Sequence, residues 1–320
     1  MAFVRFRLLS QSILPIAMGL MLMGCGPVEP GINGAPPDMR RLTDQQYVNV
    51  ITDIFGAHIK AESHSDPLVR TDGLLAVGAR TARITPTGFD RYYSEARTIA
   101  ERVTSQEYRA SMFPCKPINV TSEDDACARQ YFAEVGRLIY RRPLTPAEIQ
   151  TVTDAAAKAT RVSGDFYRGI AVGLAGMLTT TKFLFITDRT EPDPDQQGKV
   201  RLTSFSKASR LSFLLWNTTP DEALLSAAEQ GKLHTKEGLK FQVDRLMASH
   251  RFDNGVRAFF EDFLHFDQYE TLEKDSIIYP PRLLFRLPKM PRNRCYGLLW
   301  ITSFCGMKTT APCLPRAELS

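Results

Sequence analysis

The feature that most restricts how this chain can fold is a helix start that occurs three times. Thr43-Asp44-Gln45-Gln46, Thr145-Pro146-Ala147-Glu148 and Thr219-Pro220-Asp221-Glu222 each set a threonine three residues ahead of a glutamine or glutamate. In such a box the hydroxyl accepts one exposed N–H of the first turn, and the longer side chain reaches back to the N–H of the cap. Proline in the first helical position, as at Pro146 and Pro220, loses no hydrogen bond, because that N–H has no partner inside the helix. Behind the first box Tyr47, Val50, Ile51, Ile54 and Phe55 follow at helical spacing to a stop at Gly56. Behind the third, Leu224, Leu225 and Ala228 run to a stop at Gly231. Phe132, Val135 and Ile139 share one face, and residues 170–177 are largely apolar. No alternating apolar and polar run bounded by hairpin turns stands out. The expected fold class is all-α: a multi-helix array with short loops.

Two stretches interrupt the pattern. Residues 60–90 read as irregular, with Pro67, Gly73, Gly78, Pro86 and Gly88, and residues 188–199 read as a polar, proline-containing surface linker.

The first 24 residues read as an export signal. Arg5 and Arg7 stand before an apolar run from Ile13 to Met23 that is too short to span a bilayer comfortably. The run ends Leu22-Met23-Gly24-Cys25, which resembles a bacterial lipobox. The resemblance implies cleavage before Cys25, a diacylglycerol on its sulfur, and anchoring stronger than one acyl chain provides. Gly26 in place of an aspartate favours the outer membrane. Residues 25–38, rich in Pro and Gly, read as a flexible tether.

The net charge of +5 is unevenly spread. The leader carries two arginines and no acid, residues 281–320 carry seven lysines and arginines against one acid, and the rest of the chain is net acidic. A body of that sign gives no electrostatic reason to bind nucleic acid, and none is expected as a partner.

Of six cysteines, Cys25 is the lipid site and Cys295, Cys305 and Cys313 fall in the tail. Cys115 and Cys127 remain, in a body expected outside the cytosol, where disulfides persist. Their bridge would stabilise by roughly 2–4 kcal/mol. The chain has no C-x-x-C-H string for haem, and His58, His64, His234, His250 and His265 have no metal-ligand spacing. No cofactor and no metal are expected. Hydrolase elbows, phosphate loops and dinucleotide fingerprints are missing as well.

Several strings together resemble a family of domains of unknown function from planctomycetes and myxobacteria (DUF 1592 type). Arg40-Arg41-Leu42-Thr43 with Tyr47, Asn49 and Asp53-Ile54-Phe55-Gly56 looks like its N-terminal module. Cys127-Ala128-Arg129 and Tyr140-Arg141-Arg142-Pro143-Leu144-Thr145 are similar to its central module. Arg210-Leu211-Ser212-Phe213-Leu214-Leu215-Trp216, continuing through Pro220, Asp221 and Gly231, is similar to its principal domain. After the leader over 1–24 and the tether over 25–38, the resemblance implies an N-terminal helical module over 39–115, a central one over 116–190, and the principal domain over 200–280. It also implies export and, since relatives carry cytochrome c or carbohydrate-binding modules, a protein partner such as a cytochrome c or a surface polysaccharide. It supplies no catalytic residues. On the residues themselves, Arg141 and Arg142 complement the negative end of a helix dipole, and Trp216 in a leucine-rich segment anchors a core.

One stretch has the composition of a sugar-cleaving site. Residues 259–275 set Glu261, Asp262, Asp267, Glu270, Glu273 and Asp275 among Phe259, Phe260, Phe263, Phe266 and Tyr269. Aromatic faces stack on sugar rings while paired carboxylates act as acid and base, which makes Glu261, Asp267 and Glu270 the catalytic candidates. Phe259, Phe263 and Phe266 also fall at i, i+4 and i+7, the spacing of an ordinary core stripe with a solvated acidic back.

After Tyr279-Pro280-Pro281-Arg282 the pattern changes. Residues 281–320 hold five prolines, three cysteines and one acid, with no caps or helical period. Reading the third base of each codon with the next two forces Asp at Trp300-Ile301, Leu at Phe304-Cys305 and Glu at Met307-Lys308. These fit the acidic amphipathic helix with which relatives continue. The tail is expected to be out of frame, after a slip in a cytosine run at Pro280-Pro281. The alternative is a basic tail that binds anionic lipid. The expected function is an envelope lipoprotein that acts by interaction, with a carbohydrate hydrolase or a non-functional truncated copy as alternatives.

Overall fold

The computed structural model describes residues 37–62 and 66–266. The leader, Cys25, most of the tether, Asp267, Glu270 and residues 281–320 lie outside the described residues. The described residues up to Phe260 form one compact unit.

The chain is all-α. Strand β1 (Met39–Arg41) leads into α1 (Asp44–Phe55), α2 (Leu75–Gly78), α3 (Pro86–Val103), α4 (Arg109–Met112), α5 (Asp125–Ile139), α6 (Pro146–Ser163), α7 (Phe166–Leu178) and α8 (Thr181–Leu184). Strands β2 (Phe185–Thr187), β3 (Thr190–Pro192) and β4 (Val200–Leu202) precede α9 (Ser204–Leu215) and α10 (Glu222–Glu229). A 3₁₀ turn (Lys232–His234), α11 (Lys236–Ala248) and α12 (Phe252–Phe263) complete the described chain.

Both reciprocal caps form where the first two boxes place them. Thr43 caps α1 and Thr145 caps α6, with Gln46 and Glu148 reaching back. The third box does not. Asp221 caps α10 through the Leu224 N–H at 2.9 Å, while the Thr219 hydroxyl donates to the Leu138 carbonyl at 3.1 Å. The helix starts two residues late because Thr219 is held against α5. The irregular reading of 60–90 also needs correction at its end. Thr85-Pro86 caps and opens α3 with the same chemistry as Thr145-Pro146, and Pro86 starts a helix there.

Among the described residues the strands form two short antiparallel ribbons. β1 pairs with β2, Arg40 opposite Ile186 and Arg41 opposite Phe185, which ties the chain's entry to the end of the central module. β3 pairs with β4, so the expected 188–199 linker is largely a hairpin.

The main core joins α1, α3, α5 and α7. Val50, Ile51, Ile99, Val103, Phe132, Ile139, Ile170, Leu174, Leu178 and Phe183 are fully enclosed, each worth about 1.5–3 kcal/mol of burial. Helices α6 and α7 pack tightly on each other, and α7 on α5. A Cβ on Gly169 would lie 1.9 Å from the Thr160 hydroxyl, and one on Gly173 would lie 2.6 Å from the Phe132 ring. A smaller core gathers Ala208, Trp216, Leu224, Ala228, Leu233 and Leu246. The Cys115–Cys127 disulfide forms as expected, at the start of α5.

Candidate functional site

The Tyr140–Thr145 corner between α5 and α6 is heavily bonded. Arg141 is buried, in left-handed backbone at φ +58°. Its guanidinium donates to the carbonyls of Lys182 at 2.6 Å and Phe185 at 2.7 Å, and reaches that of Phe183 at 3.4 Å. Burial pushes its pKa down to about 10, with neighbouring Arg142 acting in the same direction. Arg142 grips Glu148 with two bonds, at 2.9 and 2.7 Å. The dipole role expected for this pair therefore gives way to a different one. Arg141 turns inward to hold the 182–185 backbone, and Arg142 locks the cap of α6.

Glu148 also accepts from Lys182 at 2.6 Å and from the Thr145 N–H at 2.8 Å. Its hydrogen bonds from Arg142, then from Lys182, hold its carboxyl well below the usual carboxylate range despite burial. A carboxylate so fixed stays ionised and does not serve as an acid or base near neutral pH.

Beside this corner an open groove of about 370 Å³ runs between α6 and α7. Tyr140, Glu148, Thr151, Thr180 and Lys182 give it polar edges, and Val152, Gly173 and Met177 give it an apolar floor. The Lys182 ammonium stands 5.5 Å from the Tyr140 ring centre. Gly176 also lines the groove, and a Cβ there would meet nothing within 4 Å. The groove exists because small residues, Ala147, Thr151 and Ala155, recur every fourth position on α6 opposite Gly176. That period is present in the sequence but marks no functional site by itself.

The second junction is the turn Trp216–Pro220 between α9 and α10, every residue of it buried. The Trp216 indole N–H donates to the Leu246 carbonyl at 2.9 Å, and the Arg245 and Arg251 guanidiniums lie 5.6 and 5.0 Å from its ring. Asn217, at φ +57°, accepts from Gln46 Nε2 at 3.0 Å, and its carbonyl accepts from Asn49 at 3.0 Å. Arg245 also forks onto Asp221 at 2.7 and 2.9 Å. Burial works to raise the Asp221 pKa, but Arg245 and the Leu224 N–H outweigh it and hold it low. Arg210 grips Asp188, its Nε 3.0 Å from Oδ1, and Leu211 packs at the edge of the smaller core. Pro143 contributes its carbonyl to Arg142.

Of the hydrolase candidates, Glu261 is exposed near the end of α12; Asp267 and Glu270 lie outside the described residues, so the trio is not brought together. Phe259 and Phe263 are 50% and 57% exposed, not the core stripe their spacing allows. Among the described residues no group of three potential ligands gathers for a metal, and no helix is long and apolar enough to cross a membrane.

Two family matches cover the regions that carry these junctions. Residues 127–188 match the family described as PSD5, protein of unknown function (DUF1595). Residues 202–287 match the one described as PSD4, protein of unknown function (DUF1592). No curated protein and no solved structure matches the chain. The PSD5 match holds the Arg141–Arg142 corner and the groove, and the PSD4 match holds the Trp216 turn; the chain carries a DUF1592-type domain of unknown function with its accompanying DUF1595 module.

Proposed function

We propose that this chain is an exported envelope lipoprotein whose helical body docks a surface polysaccharide in the groove between α6 and α7. The groove carries the reading. An aromatic ring, two threonine hydroxyls and a fixed ion pair edge an open apolar floor, which suits a ligand that offers both ring faces and hydroxyls. The one carboxylate at its edge is fully bonded, which favours binding over chemistry. The disulfide supports export, since such bonds persist outside the cytosol.

Gly176→Leu tests the groove. The new side chain fills open space and replaces glycine in a helix, so the fold should hold or gain slightly. Titration of the purified chain with polysaccharide extracted from its own envelope should show binding that Gly176→Leu weakens at least ten-fold, with an unchanged melting temperature. Equal binding by the two proteins would refute the groove, and no binding by the parent would refute the docking role.

The tail reading belongs to the same proposal. The PSD4 match stops at residue 287, close to the expected slip.

A further inference from the structure

Arg40 is the one arginine, among the described residues withdrawn even partly from solvent, that makes no hydrogen bond, ion pair or ring contact through its side chain. Its neighbours explain why. The nearby charges are Asp188, Arg210, Arg80 and Asp38. Asp188 is taken by Arg210 and by the Asp38 N–H at 3.0 Å. Asp38 is taken by Arg80, at 2.5 Å. Three guanidiniums thus surround two carboxylates that are already bonded, and Arg40 is left without an acceptor. A half-buried guanidinium without a partner is costly, and burial lowers its pKa accordingly. The cost is offset when an anion supplies the missing oxygens, and the planar fork fits a phosphate as well as it fits a carboxylate.

The location selects the source of the phosphate. Arg40 lies on β1, two residues after Asp38, where the chain leaves the tether and is fastened by the Asp188 N–H to Asp38 carbonyl bond at 2.8 Å. From Cys25 to Asp38 the backbone spans at most about 45 Å at ~3.5 Å per residue. An acyl group on Cys25 keeps this end of the body, before any other, within reach of the membrane. We propose that Arg40, flanked by Arg80 and Arg210, binds the phosphodiester headgroup of an anionic membrane lipid and so orients the body on the surface to which it is anchored. This rests on the lipid-anchor reading above.

The test uses the chain from residue 25 with Cys25→Ser, so that no acyl group contributes. The probe is short-chain phosphatidylglycerol below its micelle concentration, which engages a single site and avoids general attraction to the basic tail. Calorimetry should show one-to-one binding that Arg40→Gln weakens at least ten-fold and that Arg83→Gln, at an exposed arginine, leaves unchanged. Since the Arg40 side chain holds nothing in the fold and its burial is costly, Arg40→Gln should melt no lower than the parent. Equal binding by Arg40→Gln, or none by the parent, overturns the site. Inorganic phosphate binding as tightly as the lipid overturns the headgroup assignment. Acylation of the unmodified chain is read separately by mass, so Arg40-dependent binding without acylation refutes the anchor and leaves the site standing.

Discussion

Thr218 donates its hydroxyl to a carboxylate oxygen of Asp53 at 2.7 Å, across 165 residues of chain. The other oxygen of Asp53 takes Arg251, whose guanidinium also stands over Trp216. Together with Gln46 and Asn49 on Asn217, these bonds fasten α1 to the turn after α9. The first family-like string of the sequence is thus bonded directly to the last.

Asn217 is the residue on which this junction turns. Asn217→Ala should cost about 3 kcal/mol, since it strands the buried Gln46 amide and forces a Cβ residue other than asparagine into left-handed backbone. Asn217→Gly should recover about 1 kcal/mol of that by relieving the backbone alone. Urea unfolding of the three proteins separates the two contributions.

Arg141 should tolerate no ordinary replacement. Arg141→Met removes the donors of three carbonyls in a buried corner, and a loss of about 3 kcal/mol or more is expected. Arg141→Lys keeps a charge but not the fork, so most of the loss should remain. Thermal unfolding followed by circular dichroism measures both.

Acid should weaken the fold in two steps. His234 lies between Lys207 at 3.2 Å and Glu191 at 3.1 Å, and burial, then Lys207 and Arg201, lower its pKa below the usual 6.5. The fold prefers its neutral form, so this stability is present above pH 6.5 and is lost as pH falls below it. Glu148 is also held low, so its contribution is present above the usual 4.5 and is lost as pH falls further. Urea midpoints measured across pH should show both declines, and His234→Gln should remove only the first.

Caps and apolar periods were legible because they are local. Thr43 and Thr145 bond within four residues of themselves, so their strings are self-contained. The third box misleads because its threonine has a distant use, on Leu138, and the sequence hides α3 because Pro86, which opens the helix, reads as a break. Trp216 is readable as a core anchor from its leucine-rich segment. Arg141 is not readable in the same way, because its partners lie 41 to 44 residues away and nothing in Tyr140–Thr145 names them. The groove depends on which faces of α6 and α7 remain uncovered, which only packing decides.

Sequencing the gene across codons 276–320 and beyond tests the truncation. A cytosine run at Pro280-Pro281, followed by an open alternative frame encoding an acidic amphipathic helix, is expected. A closed alternative frame would make the basic, cysteine-containing tail genuine and turn attention to anionic lipid.

The most direct test of the envelope account is the intact mass and N-terminal peptide of the chain recovered from its own membranes. The expected species begins at Cys25, carries diacylglycerol on that sulfur, and retains the Cys115–Cys127 bond until reduced. A chain that keeps Met1, or one cleaved to leave an unmodified Cys25, would contradict the anchor on which the proposed role depends.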